Sequence, residues 1–281
     1  MLNRCILILL VLTHYGCASM TGIQPRDVEG APAELTGMRI VPASDVDWTD
    51  LNPARGALSP RAATLWGDRG GDEHTGFLVR FADGFSSPPH IHNVSYRAVV
   101  IEGAVHNDDP AAPEMWMGPG SFWTQPAGQN HITAAKGASN IALVEIDSGP
   151  YLVKPLTDAF DNGERPVNVD ASNVVWLPLD GQSGPIDGAA IAYLWGGFTA
   201  GQWGGSFVRL PPGFAGTLKA TGQDFNAVVV RGSLAFKDRS LVQLLRGSYF
   251  GIRGASEHPL DVTTDSELVL YVSADGPYML R

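Results

Sequence analysis

His90-Ile91-His92, with Tyr96 four residues on and His131 much further along, is the group in this sequence best suited to do chemistry. On a strand, residues i and i+2 project from one face, so His90, His92 and Tyr96 point the same way. If that face lines a small barrel, the buried imidazoles need a metal ion or hydrogen-bond partners, because burying unpaired polar groups is costly. The turn Pro126-Ala127-Gly128 leads His131 into a neighbouring strand. Three neutral imidazoles suit a divalent transition metal (Fe, Zn, Mn, Ni or Cu) and leave coordination positions open for water or a substrate. His90, His92 and His131 are therefore the expected metal ligands. Tyr96 is the candidate catalytic residue: it can ligate as a phenolate, act as a general acid or base beside the metal, or only fill space.

The elements that must position these residues come in two copies. Leu65-Trp66-Gly67 recurs as Leu194-Trp195-Gly196, Val79-Arg80-Phe81 as Val208-Arg209-Leu210, and Gly84-Phe85 as Gly213-Phe214. Ala98-Val99-Val100-Ile101-Glu102-Gly103 recurs as Ala227-Val228-Val229-Val230-Arg231-Gly232, all at an offset of 129. Gly120-Ser121-Phe122-Trp123 returns at offset 127, and Trp48 and Leu51 at offset 128. Such ordered self-similarity marks a duplicated domain. Each copy consists of short runs rich in Val, Ile, Phe and Tyr, broken by Gly, Pro, Asn and Asp, the pattern of an all-β barrel or sandwich. Residues 154–162 are expected to form one short helix between the copies.

The second copy serves as an internal control. Matched by the constant offset, His90 and His92 become Lys219 and Thr221, Tyr96 becomes Phe225, and only His258 remains, opposite His131. A lone histidine builds no metal site, so the second copy is expected to be structural. Residues shared by both copies (Trp66, Arg80, Gly84, Gly103) answer to the fold. The Phe225 match favours a packing role for Tyr96. Arg97, on the opposite face from Tyr96, is expected at a surface or interface, and Trp123 and Gln125 near the cavity mouth. His74, His106, Asp108 and Asp109 are expected in solvated loops.

The first copy resembles the paired motifs of the cupin superfamily, G-x5-H-x-H-x3-E-x6-G and G-x5-P-x-G-x2-H-x3-N. Gly84, His90, His92, Gly103, Gly120, Pro126, Gly128 and His131 fall at the family's spacing, with Tyr96 where the family has its glutamate ligand and Ala135 where it has asparagine. The resemblance is to bacterial bicupins related to the anti-sigma-factor (ChrR-like) cupin domain. It implies an all-β chain of two tandem cupin barrels (double-stranded β-helix, jelly roll). It also implies either a metalloenzyme for a small organic molecule, a dioxygenase or a lyase/isomerase, or a non-catalytic metal- or ligand-sensing module. The expected divisions are a signal or lipoprotein segment 1–17, a tether 18–38, a metal-binding barrel 39–155 and a degenerate barrel 156–281.

Composition agrees with a globular protein: 44% hydrophobic and 17% charged residues, with 33 glycines and 20 prolines for turns. A formal charge of -10, with no basic run, excludes nucleic acid as the expected partner. At the start, Arg4 precedes an apolar run of signal-peptide length that ends at Gly16-Cys17. Cys5 lies within that run, so Cys17 would be the sole cysteine of a mature chain. Lipidation of Cys17 would make the protein an exported lipoprotein, periplasmic or tethered to the outer membrane, with that lipid its only membrane contact. Cleavage near Ala18 or a fortuitous apolar start are the other readings. A homodimer is left open.

Overall fold

Short alternating runs punctuated by glycine and proline favour strands over helices, and strands are what form. The computed structural model describes residues 37–181, 184–237 and 242–281. The expected signal segment with Cys17, and the tether up to residue 36, lie outside the described residues. The described residues belong to one compact unit. Among the described residues the helical segments are short 3-10 turns, and no helix is long and apolar enough to cross a membrane.

Each copy contributes a seven-stranded sheet, and the two sheets have the same strand order. In the first, the order is Val167–Val169, Phe122–Gln125, Tyr96–Asp108, Ile132–Ile146, Thr75–Phe81, Arg61–Trp66 and Thr49–Asp50. In the second it is Met38–Val41, Tyr249–Arg253, Asp224–Arg231, Leu268–Ala274, Gly204–Leu210, Gly184–Gly196 and Leu177–Gly181. The outer strand of each sheet is exchanged. Met38–Val41, which leads into copy one, pairs antiparallel with Tyr249–Arg253 of copy two, Arg39 opposite Gly251. Val167–Val169, which leads into copy two, pairs with Phe122–Gln125 of copy one, Asn168 opposite Trp123. An expected boundary at 155/156 therefore cuts across strand pairing: each copy's leading strand covers an edge of the other's sheet.

Period-two alternation sorts the side chains into three cores. Tyr96, Ala98 and Val100 pack inside the first barrel with Phe77, Val79 and Trp123. Val99 and Ile101, on the opposite face, meet Val228, Val230, Phe207 and Tyr271 where the two large sheets pack together. The third core fills the second barrel around Phe225, Phe236 and Phe250. Repeated residues repeat their contacts. Arg80 lies over Trp48 at 4.0 Å and Arg209 over Trp176 at 4.7 Å. Trp66 covers Gly76 and Trp195 covers Gly205, so closely that a Cβ on either glycine would lie within 2.1 Å of the indole.

Residues 154–162 depart from expectation. Their N-terminal end is used as a strand, Val153–Lys154, which pairs with the strand Ile91–His92. Only Leu156–Asp158 winds into a 3-10 turn, and Phe160 N–H then donates to Gly128 O at 3.1 Å. Tertiary pairing takes the backbone groups a helix would have used.

Candidate metal centre

His90 and His131 face each other across an isolated antiparallel bridge, with reciprocal N–H to carbonyl bonds of 3.0 Å. His92 stands two residues on, held by the pairing of Ile91–His92 with Val153–Lys154. His92 and His131 are buried, at 3% and 0% exposure, and His90 is at 9%. The side chains meet: one nitrogen of each lies within 4.8 Å of the other two.

The outward nitrogens fix the tautomers. The Nδ1 of His90 lies 2.9 Å from Pro88 O, that of His92 3.2 Å from Leu152 O, and that of His131 3.1 Å from Gln129 O. A carbonyl only accepts, so each Nδ1 carries the proton and each Nε2 presents a lone pair. His131 Nε2 is buried with no hydrogen-bond partner, and His90 Nε2 and His92 Nε2 are 3.2 Å apart. Nitrogens bound about 2.1 Å from one ion at 90–110° stand roughly 3.0–3.4 Å apart. The donor set therefore fits a divalent transition metal, and backbone carbonyls supply the outer support that imidazole ligands usually need. Burial also keeps the imidazoles unprotonated. Desolvation, and then His90, pulls His131 down to about 3. Desolvation, with His131 and His90 adding to it, holds His92 well below the usual histidine range. His90 is lowered by burial, against the Pro88 hydrogen bond, which raises it.

Two tyrosines flank the cluster. Tyr96 is buried and its ring meets that of His92 edge-on at 5.3 Å. Its hydroxyl, however, donates to Asn107 Oδ1 at 3.0 Å, an oxygen that also accepts from Thr133 Oγ1 at 2.8 Å. Asn107 Nδ2 donates to Gln125 Oε1, and Gln125 Nε2 to the Gln129 carbonyl that holds His131. Tyr96 thus begins a buried chain that ends at His131. The phenol directed at the ligand nitrogens is Tyr151, whose Oη lies 3.2 Å from His92 Nε2 and whose ring stacks on His92 at 4.4 Å. Burial lifts both hydroxyls above the usual phenol range. Tyr151 lies outside both motifs, after Gly149-Pro150, and nothing in their spacing could have found it. Above the cluster lies a cavity of about 380 Å³, lined by His90, His92, Tyr96 and Tyr151 together with Leu51, Phe85, Trp123 and other residues.

The second barrel corrects the constant-offset match. There, His258 pairs with Leu218, as His131 pairs with His90, so the counterparts of His90 and His92 are Leu218 and Ala220, both buried at 2%. Lys219 points outward and pairs with Glu257 at 3.1 Å. Four residues separate Gly213 from Leu218 where five separate Gly84 from His90, and in a strand a one-residue slip reverses every side chain. Two expected loop residues are not solvated either. His106 is 3% exposed within the strand Tyr96–Asp108. His74 Nε2 is 2.7 Å from the buried Glu145 carboxylate. Arg97 faces the contact between the barrels, 3.7 Å over Trp195 and bound to Asp147. Trp123 and Gln125 are both buried, and Trp123 lines the cavity.

The sequence matches no curated protein. Solved structures of similar shape include a protein assigned as a dioxygenase from Nostoc punctiforme, 16% identical, with 85% of this chain and 83% of that one covered and a TM-score of 0.67. The oxalate decarboxylase of Lactobacillus farciminis in a formate complex is 12% identical over 89% of each chain, TM-score 0.54. The salicylate 1,2-dioxygenase of Pseudoaminobacter salicylatoxidans, as its gentisate adducts, is 14% identical over 85% of this chain and 81% of that one, TM-score 0.54. At these identities the likeness is one of fold, two tandem cupin barrels. Residues 39–281 match the profile of a single family, and the chain belongs to it: the family described as Domain of unknown function (DUF4437).

Proposed function

We propose that this protein is a metal-dependent cupin enzyme that acts on a small organic molecule in its first barrel, as a dioxygenase or as a lyase or isomerase. The observation that carries this reading is the convergence of three Nε2 lone pairs, locked by carbonyl acceptors, beneath a cavity large enough for a substrate. His90, His92 and His131 would hold Fe, Zn, Mn or Ni, and the ion when bound supplies a Lewis acid for an oxygen of the substrate. The chain's own groups supply the rest. Tyr151 stays protonated because of its burial, and it aims a hydroxyl at the ligand nitrogens, placed to donate a hydrogen bond or a proton. Tyr96 positions His131 through Asn107, Gln125 and the Gln129 carbonyl. The second barrel, with Leu218 and Ala220 in the ligand positions, serves as scaffold. The cavity favours this reading over a sensing module of the anti-sigma type. The apolar run ahead of Cys17 supports export as a lipoprotein.

Metal analysis of protein purified without a histidine tag tests the proposal. A stoichiometric transition metal is expected, lost in His90→Ala and in His131→Ala. A folded chain that takes up none of Fe, Mn, Ni or Zn would refute it.

A further inference from the structure

The chain is acidic, with 29 Asp and Glu against 19 Lys and Arg, yet the cavity above the histidines has the opposite character. Its wall includes no Asp or Glu and two cations, Arg55 and Lys154, both partly buried. Cations elsewhere are mostly neutralised: Arg61 by Asp50, Arg97 by Asp147, Arg165 by Asp161, Arg246 by Glu102 and Lys237 by Asp261. Among the described residues neither Arg55 nor Lys154 has a carboxylate partner. The guanidinium carbon of Arg55 instead lies over the ring of Phe85, 5.9 Å from its centroid, a cation–π contact that holds the charged group on the cavity wall without a carboxylate. Its position is built in. Asn52 Oδ1 accepts from Ala54 N–H at 3.2 Å, and Ser59 Oγ accepts from Asn52 N–H at 2.9 Å, which brackets the segment Pro53–Leu58 that carries Arg55. Much of the remaining wall is apolar, with Val79, Phe81, Val144 and Val153.

A guanidinium without a carboxylate partner still presents its planar fork of donors, which a ligand carboxylate fits bidentately. An apolar wall selects for the rest of the ligand. We propose that this cavity binds an organic monocarboxylate with an apolar body, its carboxylate held by Arg55 with Lys154 as the second cation and its body lying along the apolar wall toward the three histidines. The inference rests on the reading of this cavity as the substrate site, and it names the substrate's class.

The test titrates benzoate, its uncharged analogue benzamide, and the cation benzylamine into the full chain by calorimetry, both as purified and after removal of metal. Benzoate is expected to bind about tenfold or more tightly than benzamide, the scale of a charge-assisted hydrogen bond, and benzylamine most weakly. Arg55→Met, which keeps an apolar stem but loses the charge, should bring benzoate to the level of benzamide and leave benzamide unchanged. Arg55→Lys should restore part of the preference. Equal affinity for benzoate and benzamide, no binding of either, or a preference that survives Arg55→Met would overturn the proposal. A charge preference in a chain that takes up no metal would leave this inference standing and defeat the metalloenzyme reading. A metal-loaded chain with no preference would do the reverse.

Discussion

At the scale of the residue, the three clustered histidines are held neutral by burial, and that neutrality has a cost in acid. The ordinary histidine pKa is near 6.5, and burial takes His131 to about 3 and lowers His92 and His90 as well. Between those values the unfolded chain binds protons that the folded chain refuses, so stability must fall as pH falls from about 6.5 toward about 3. The urea midpoint of metal-stripped protein should therefore be lower at about pH 5 than at about pH 7.5. His131→Leu should flatten the difference, and an unchanged slope would count against burial as its cause. The two tyrosines separate by a spectroscopic measurement. With Cu(II) as a probe ion, Tyr151→Phe should alter the EPR spectrum, because its hydroxyl adjoins a ligand nitrogen, while Tyr96→Phe should act only weakly, through its chain to His131. The three-histidine cluster was legible in the sequence because its spacing is written within two contiguous motifs. Tyr151 and Arg55 were not, since each reaches the cavity from another part of the chain and only tertiary structure brings it there.

At the scale of the element, strand register decides what a repeated sequence means. A constant offset put Lys219 inside the second barrel. The true register puts Leu218 there, because one residue fewer follows Gly213 and the difference is made up before Phe225. The fold class, the strand-rich runs and the structural role of the repeated Trp and Arg residues could all be read without the structure. The one-residue slip could not, because an alignment without gaps hides it. Close approach is the other element-scale constraint. A Cβ on Gly76 would fall 2.1 Å from the Trp66 ring, beside a strand that supports the first barrel. Gly76→Ala should cost about 1–3 kcal/mol of stability by overpacking, seen as a lower denaturant midpoint. A neutral result would mean that Trp66 is free to move aside.

At the scale of the whole molecule, a single carboxylate ties the barrels together. Glu145, 1% exposed, accepts from His74 in copy one and from Tyr271 Oη and Ser273 Oγ in copy two, at 2.7–2.8 Å. Glu145→Ala would strand these donors and should destabilise the chain by on the order of 3 kcal/mol, measured by denaturant unfolding. A loss no larger than that of an exposed Glu→Ala control would show that the contact is dispensable. The exchange of leading strands reaches further. A solitary copy that kept its own leading strand would present a bare sheet edge and, beside it, a strand unused within itself. Two such identical chains would satisfy each other by trading strands, a symmetric embrace of the kind that domain swapping produces. Seen in this way, the present chain has the architecture of a swapped dimer whose halves have been joined end to end. In this arrangement the second copy, with Leu218 and Ala220 in place of two histidines, still supplies the strand that edges the first copy's sheet.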